Sequence, residues 1–138
     1  MTPRGIRNHN PLNLRENEHG GDQWDGEALL NYDASFEEFK SPVWGIRAGA
    51  KTLRNYQRLH GLNTVSGIIN RFAPSTENNT TSYIDHVAKK LNVSPFDSIN
   101  LDNHETLKQL VNAVIKHENG INPYSEAVID EAINMALA

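Results

Sequence analysis

A chain of 138 residues without cysteine is long enough to bury a real core, but it can form no disulfide scaffold, zinc finger or cysteine nucleophile. Hydrophobic content of 38%, charged content of 22% and a formal net charge of −4 suit one polar globular domain, and no apolar run approaches a membrane span or signal-peptide core. The charge is uneven, eight Lys/Arg against eight Asp/Glu in residues 1–60 and five against nine in 61–138, and no basic stripe of the kind a nucleic-acid partner needs emerges.

Residues 1–40 read as a loop-rich lobe. Asn10-Pro11, Gly20-Gly21 and Asp25-Gly26 are turn signals, with short apolar pieces between them (12–14, 28–30 and 36–39) that suit short strands. Trp24, Tyr32, Phe36 and Phe39 are too many anchors for a disordered tail, so the lobe is expected to fold and to carry binding residues. Residues 41–138 read as a helical lobe. Ser41-Pro42 opens a first helix, with Val43, Ile46, Ala50 and Leu53 at core spacing and Gly61 as its stop. Thr64 caps a short helix carrying Val65, Ile68, Ile69 and Phe72, which Ala73-Pro74 ends. Thr80 or Thr81 opens a third, with Tyr83, Ile84, Val87, Ala88 and Leu91 inward. Asp102 with Glu105 three residues on resembles a capping box for a fourth. Ser125 caps a last helix facing the core through Ile129, Ala132, Ile133 and Ala136. The expected fold is mainly α: five helices and a small irregular front lobe with short strands, in a single domain.

The fourth helix carries the first candidate for chemistry. Leu107, Leu110, Val111, Val114 and Ile115 form its core stripe, and it runs to His117-Glu118 before Gly120 and Pro123 stop it. Glu118 thus sits at a negative helix end, where its acid form is expected to be favoured, as a general acid working near neutral pH requires. The bland alternative is a misplaced surface carboxylate. A metal site is not supported. His117-Glu118 begins like a zinc-protease helix, but the position for its second histidine is Ile121, and His9, His19, His60, His86 and His104 show no ligand spacing. No G-x-S-x-G elbow occurs, and the Gly20-Gly21 pair is too weak for a phosphate loop. Neither metal nor cofactor is therefore called for, and carboxylate-based glycoside chemistry survives. A second carboxylate would come from Asp22, Asp25, Glu27, Asp33, Glu37 or Glu38, none of which spacing singles out.

The opening Arg4-Gly5-Ile6-Arg7-Asn8-His9-Asn10-Pro11-Leu12-Asn13-Leu14-Arg15, followed by Trp24-Asp25-Gly26, resembles the "RGIRNNNPGNIR…W.G" start of a group of phage structural and prophage proteins. Phe36…Phe39 and Ser41-Pro42…Gly45-Ile46-Arg47-Ala48 belong to the same pattern. More loosely, the opening is similar to the "NN-x-F-G-I-K" segment of lysozyme-like bacterial glucosaminidases. Residues 45–61, 69–74 and 76–87 look like the second half of soluble lytic transglycosylases and goose-type lysozymes, whose P-x-E-T-x-x-Y-V segment would place Tyr83 in the catalytic pocket. One departure is large. In those enzymes the catalytic glutamate precedes all these segments, whereas its best equivalent here, Val114 to Gly120, follows them. The resemblance therefore implies a circularly permuted lysozyme-like fold, and the two ends of the chain should meet around Glu118.

That resemblance implies a peptidoglycan-degrading glycosidase that cleaves between N-acetylmuramic acid and N-acetylglucosamine, with lytic transglycosylase favoured over hydrolysis. Glu118 would be the acid and then the base, with Tyr83 positioning it or the substrate. Asn8, Asn10 and Asn13 are either saccharide-binding amides or turn-making asparagines, and Arg15 is a candidate cation for substrate carboxylates. Trp24 either stacks on a sugar or belongs to the core, Trp44 is expected to pack, and His117 either tunes Glu118 or complements the helix end. Peptidoglycan is the expected partner, with virion or secretion-apparatus proteins beside it and no membrane insertion. The chain would be made in the bacterial cytoplasm without a signal peptide and act in the periplasm or wall. The rival from another class is an inactive virion or wall-binding protein of the same fold, which the acidic balance mildly favours.

Overall fold

The structure, a computed structural model, describes residues 2–16, 24–75 and 79–138, and the expectations at Gly20-Gly21, His19, Asp22 and the first three positions of the 76–87 segment lie outside them. The fold is mainly α, with helices α1 (Arg4–Arg7), α2 (Pro42–His60), α3 (Val65–Phe72), α4 (Thr80–Leu91), α5 (His104–Asn119) and α6 (Glu126–Leu137). The short α1 is one element more than sequence periodicity shows, because four residues are too few to display a period. The short strands expected in the front lobe are not found among the described residues. Isolated antiparallel bridges stand in their place, Arg15 to Phe36 and Glu27 to Phe39, with a third joining Thr64 to Ser98.

Local chemistry explains where the helices begin and end. The side chains of Thr64, Asn79, Asn103 and Ser125 each accept from a backbone N–H in the first turn of α3, α4, α5 and α6. This satisfies one of the donors that every helix start leaves orphaned. Two starts differ from expectation. Asn79 rather than Thr80 caps α4, since Thr80 is buried and donates its hydroxyl to the Ala73 carbonyl at 2.6 Å. Asn103 rather than Asp102 caps α5, leaving Asp102 to pair with Arg54 at 2.8 Å. Gly61 and Gly120 end α2 and α5 in the left-handed conformation, at φ 67° and 76°.

Helix α5 is the centre of the packing, touching α1, α2, α4 and α6, while α2 lies along α6. Its stripe of Leu107, Leu110, Val111, Val114 and Ile115 is fully buried, each side chain contributing roughly 1.5–3 kcal/mol of hydrophobic stabilisation. On α2, Ile46, Ala50 and Leu53 join this main core. The same helix has a second seat that the apolar periodicity does not reveal. Gly45, Ala48 and Gly49 form a shallow strip on which the opening loop lies: a Cβ on Gly45 would stand 1.7 Å from the His9 carbonyl oxygen, and one on Gly49 2.6 Å from Leu12 Cδ2. Ala48 meets Leu14 and Phe39 in a small satellite core, against which Trp24, Trp44 and Phe72 pack. Small residues on α2 thus bring the front of the chain down onto the helical lobe.

Candidate active site

The opening loop is built by its own asparagines. Asn10 is fully buried; its amide donates to the Leu14 and Glu37 carbonyls and its oxygen accepts from Leu14 N, all at 3.0 Å. His9 and Asn13 take left-handed backbone, at φ 54° and 53°, a conformation asparagine and histidine adopt more readily than most residues. This geometry turns the Asn13 side chain toward the far end of the chain, where its Nδ2 donates to Glu118 Oε1 at 2.9 Å. One residue further on, Asn119 Nδ2 donates to the Pro11 carbonyl at 2.8 Å and to the Ile115 carbonyl at 2.9 Å. The start of the chain and the end of α5 therefore meet at Glu118. Gly5 closes the knot, since a Cβ there would lie 2.7 Å from both Asn13 Oδ1 and Asn119 Oδ1.

Glu118 opens onto a cleft of about 330 Å³, walled by Asn13, Arg15, Phe36, Tyr56 and Phe72, with Leu12, Leu14 and Ala73. Among the described residues it is the only carboxylate on that wall. The Arg15 guanidinium lies 4.9 Å over the Phe36 ring and Arg71 lies 5.3 Å over Tyr56, so two wall aromatics each carry a cation. Tyr83, 1% exposed, presents its hydroxyl to Glu118. Burial, and after it the Glu118 charge, pushes the phenol far above the usual tyrosine range. The hydroxyl makes no hydrogen bond of good geometry, so it is a buried neutral donor rather than a base or nucleophile.

The site residues expected from sequence divide into two groups. Glu118, Tyr83, Asn13 and Arg15 come together, whereas Asn8, Asn10 and Trp24 stand away from the cleft. Asn10 is spent on the loop backbone. Trp24 packs on the Leu14, Phe39 and Ala48 cluster, the core role left open for it. Asn8 is 5% exposed and donates to Asp33 Oδ2 at 3.0 Å, on a separate hollow of about 500 Å³ shared with Arg4, Arg7 and Tyr32. None of the described candidates for a second carboxylate lies on the Glu118 cleft. Asp33 is clamped by both Arg4 donors at 2.6 Å and by the Ser35 and Phe36 amides, which hold its carboxyl well below the ordinary range. Glu38 accepts from Asp33 N at 2.8 Å and from Tyr32 N, and Asp25 pairs with Arg47 at 3.4 Å. Glu37 is buried, and Glu27 bridges to Phe39.

The helix end also differs from the sequence argument. Lys116, rather than His117, complements the terminal carbonyls, its Nζ donating to Gly120 O at 2.7 Å. His117 turns the other way and stacks on Tyr83, ring centroids 3.8 Å apart and planes 21° from parallel. Its Nδ1 lies 3.0 Å from His86 Nδ1. His86 was not singled out by sequence; the available signal is that it follows Tyr83 by three residues and shares its face of α4. Among the described residues no group of three or more His, Asp or Glu is arranged to hold a metal ion, and no helix is long and apolar enough to cross a membrane.

No family model matches the chain. It is 49% identical over 122 residues to Protein P5 of Pseudoalteromonas phage PM2, an alignment covering 88% of this chain and 74% of the phage protein. The chain belongs to the Protein P5 family. Its relative is thus a bacteriophage protein, in keeping with the phage character of the opening segment, and the name Protein P5 states no chemistry.

Proposed function

We propose that this Protein P5 family member is a lysozyme-like glycosidase that cleaves the glycan strands of peptidoglycan between N-acetylmuramic acid and N-acetylglucosamine, and that it works as a lytic transglycosylase. The observation that carries the reading is the placement of Glu118. It lies at the end of the central helix, on a cleft, held by Asn13 from the other end of the chain and faced by the Tyr83 hydroxyl. That arrangement is what a permuted lysozyme-like fold calls for. In the proposed reaction the Glu118 carboxylic acid gives its proton to the glycosidic oxygen as the bond to the anomeric carbon breaks. The resulting carboxylate then takes a proton from the muramic acid's own hydroxyl as that oxygen attacks the anomeric carbon, which closes an anhydro ring and restores the acid. Glycoside hydrolysis ordinarily needs a second carboxyl group within about 5–9.5 Å of the first. A transglycosylase needs one group that serves as acid and then as base, and Glu118 on the cleft wall is the group this reading assigns to it. Arg15 and Arg71 supply positive charge beside the aromatic walls for a substrate bearing carboxylates.

The phage relative supports delivery to the wall by a virion or during lysis. Zymography on purified peptidoglycan, comparing wild type with Glu118→Gln, tests the proposal. Removal of a general acid should slow clearing by about 10²–10⁴-fold. Equal clearing by both proteins would remove Glu118 from the mechanism, and no clearing by either would leave a wall-binding or virion protein of this fold. Mass spectrometry of the released fragments should find anhydro ends; reducing ends would point to hydrolysis.

A further inference from the structure

We propose that His117 is a positioning residue whose stack on Tyr83, pinned by His86, holds the Tyr83 hydroxyl against Glu118 and releases it when both histidines are protonated. This rests on the reading of Glu118 as the acting acid. The geometry is a short chain of contacts leading from the surface to the acid. His86 on α4 meets His117 on α5 through their Nδ1 atoms at 3.0 Å, His117 lies flat on Tyr83 at 3.8 Å, and Tyr83 faces Glu118. Tyr83 needs such a support because its hydroxyl has no well-formed hydrogen bond to fix it. Its ring plane is set by what packs on it, and an exposed histidine is an unusual choice for that task.

Histidine makes the support conditional. An Nδ1 to Nδ1 contact at this distance is a hydrogen bond only if one ring donates and the other accepts. It forms when both rings are neutral in complementary tautomers, and it survives one added proton. A second proton puts an N–H on both facing nitrogens and turns the bond into a repulsion. The charges around the pair set where that happens. Partial burial, and after it the charges of Lys90 on α4 and Lys116 on α5, disfavour the charged form of His86; His117 is lowered by burial and by His86, while Glu118 acts in the opposite direction. The doubly protonated state therefore forms only on the acidic side of the ordinary histidine range, and the support is intact at neutral pH.

Two sets of measurements test this on the full chain. The first reads rates on peptidoglycan across pH. His117→Ala should lower kcat by about tenfold to a hundredfold with little change in KM, the cost expected when a catalytic group loses its alignment. His117→Phe keeps a flat ring on Tyr83 and cannot titrate, so it should restore most of kcat and make the acidic limb shallower. Wild-type kcat and pH profile in His117→Ala would overturn the proposal, as would a failure of His117→Phe to rescue while its melting temperature matches wild type. The second set does not depend on activity. Proton NMR should show the Tyr83 ring resonances moving with pH in step with the His117 ring, and His86→Ala should abolish that coupling. Tyr83 resonances that stay still while both histidines titrate would overturn the proposal, even in a protein that proves inactive. Coupled titration in a protein that clears no peptidoglycan would support the linkage and remove the glycosidase reading alone.

Discussion

The acid at the centre of the site depends on a residue that resembles ordinary loop material. Asn13 combines a left-handed backbone, at φ 53°, with an amide that reaches Glu118. Asn13→Gly separates the two contributions, since glycine accepts the backbone at no steric cost while removing the amide. On the glycosidase proposal, clearing of peptidoglycan by Asn13→Gly should fall by about tenfold and its melting temperature should drop with it, because the lost hydrogen bond, worth about 0.5–3 kcal/mol, both orients Glu118 and ties the opening loop to α5. An unchanged rate would show that Glu118 needs no orienting partner. Tyr83→Phe tests the neighbouring group. The ring and its stack on His117 remain, and only a neutral donor beside Glu118 is lost. Removal of an unpartnered buried hydroxyl should raise the melting temperature or leave it unchanged, since such a group costs free energy to bury, while the clearing rate falls. A rate that survives the loss of the hydroxyl would make Tyr83 a packing residue. The asparagines of the opening segment illustrate why residue type alone did not sort them. Asn8, Asn10 and Asn13 offer the same amide, and only the direction in which the loop turns each one decides which meets Asp33, the loop backbone or Glu118.

At the scale of elements, α2 links the core to the site. One face carries Ile46, Ala50 and Leu53 into the main core, and that face was legible from spacing. The other is a seat of small residues whose value lies in what they lack. Gly45→Ala would drive a Cβ into the His9 carbonyl oxygen, a backbone atom that cannot swing aside. The opening loop would have to lift from α2 and carry Asn13 away from Glu118. The expected cost is about 1–3 kcal/mol of stability, as for other overpacked sites, with a larger proportional loss of activity. Thermal melting and the clearing assay on the same preparation check this; equal losses in both, or none, would count against the loop's role. The α5 stripe shows the opposite case. Its five apolar residues were readable as a core face and all are fully buried, because a sustained 3.6-residue period can be satisfied only by burying one side of a helix. The cap at Asn103, one residue from the expected Asp102, shows how far such local reasoning reaches. Either side chain can accept at a helix start, and the Arg54 partner from α2 decides which is used elsewhere.

For the whole molecule, two titrating clusters set the response to acid. The Arg4 guanidinium, followed by the Ser35, Asn8 and Phe36 donors, holds the Asp33 carboxyl below its ordinary value of 3.8. A depressed carboxyl stabilises the fold above the unfolded value, and this contribution disappears as pH falls through the range beneath it. His86 and His117 are both depressed from 6.5. The unfolded chain takes up these protons first, so stability falls as pH drops below the ordinary histidine range. Chemical denaturation from about pH 8 down to about pH 2 (from the reference histidine range to below the reference carboxylate range) should therefore show a decline in two stages. His117→Phe should flatten the upper stage and Asp33→Asn the lower one. A single decline confined to the carboxylate range would remove the histidine pair from the ledger of acid sensitivity.

Sequence by itself determined the mainly helical fold, the core faces of its helices and the position of Glu118 at a helix end, because periodicity, capping and stop signals act over a few residues. The resemblance of residues 45–87 to lytic transglycosylases, with the glutamate displaced to a later helix, added the expectation that the chain's ends meet around Glu118, and the Asn13–Glu118 and Asn119–Pro11 bonds join the opening loop to the end of α5. Tertiary structure alone decided which asparagine reaches the acid, that Trp24 belongs to a satellite core, and that His86 and His117 face each other across α4 and α5. The physical reason is range. The hydrogen bonds among them join residues 31 to 108 positions apart, brought together by glycines and alanines on α2 and by the packing of α4 on α5, which leave no periodic mark in the sequence.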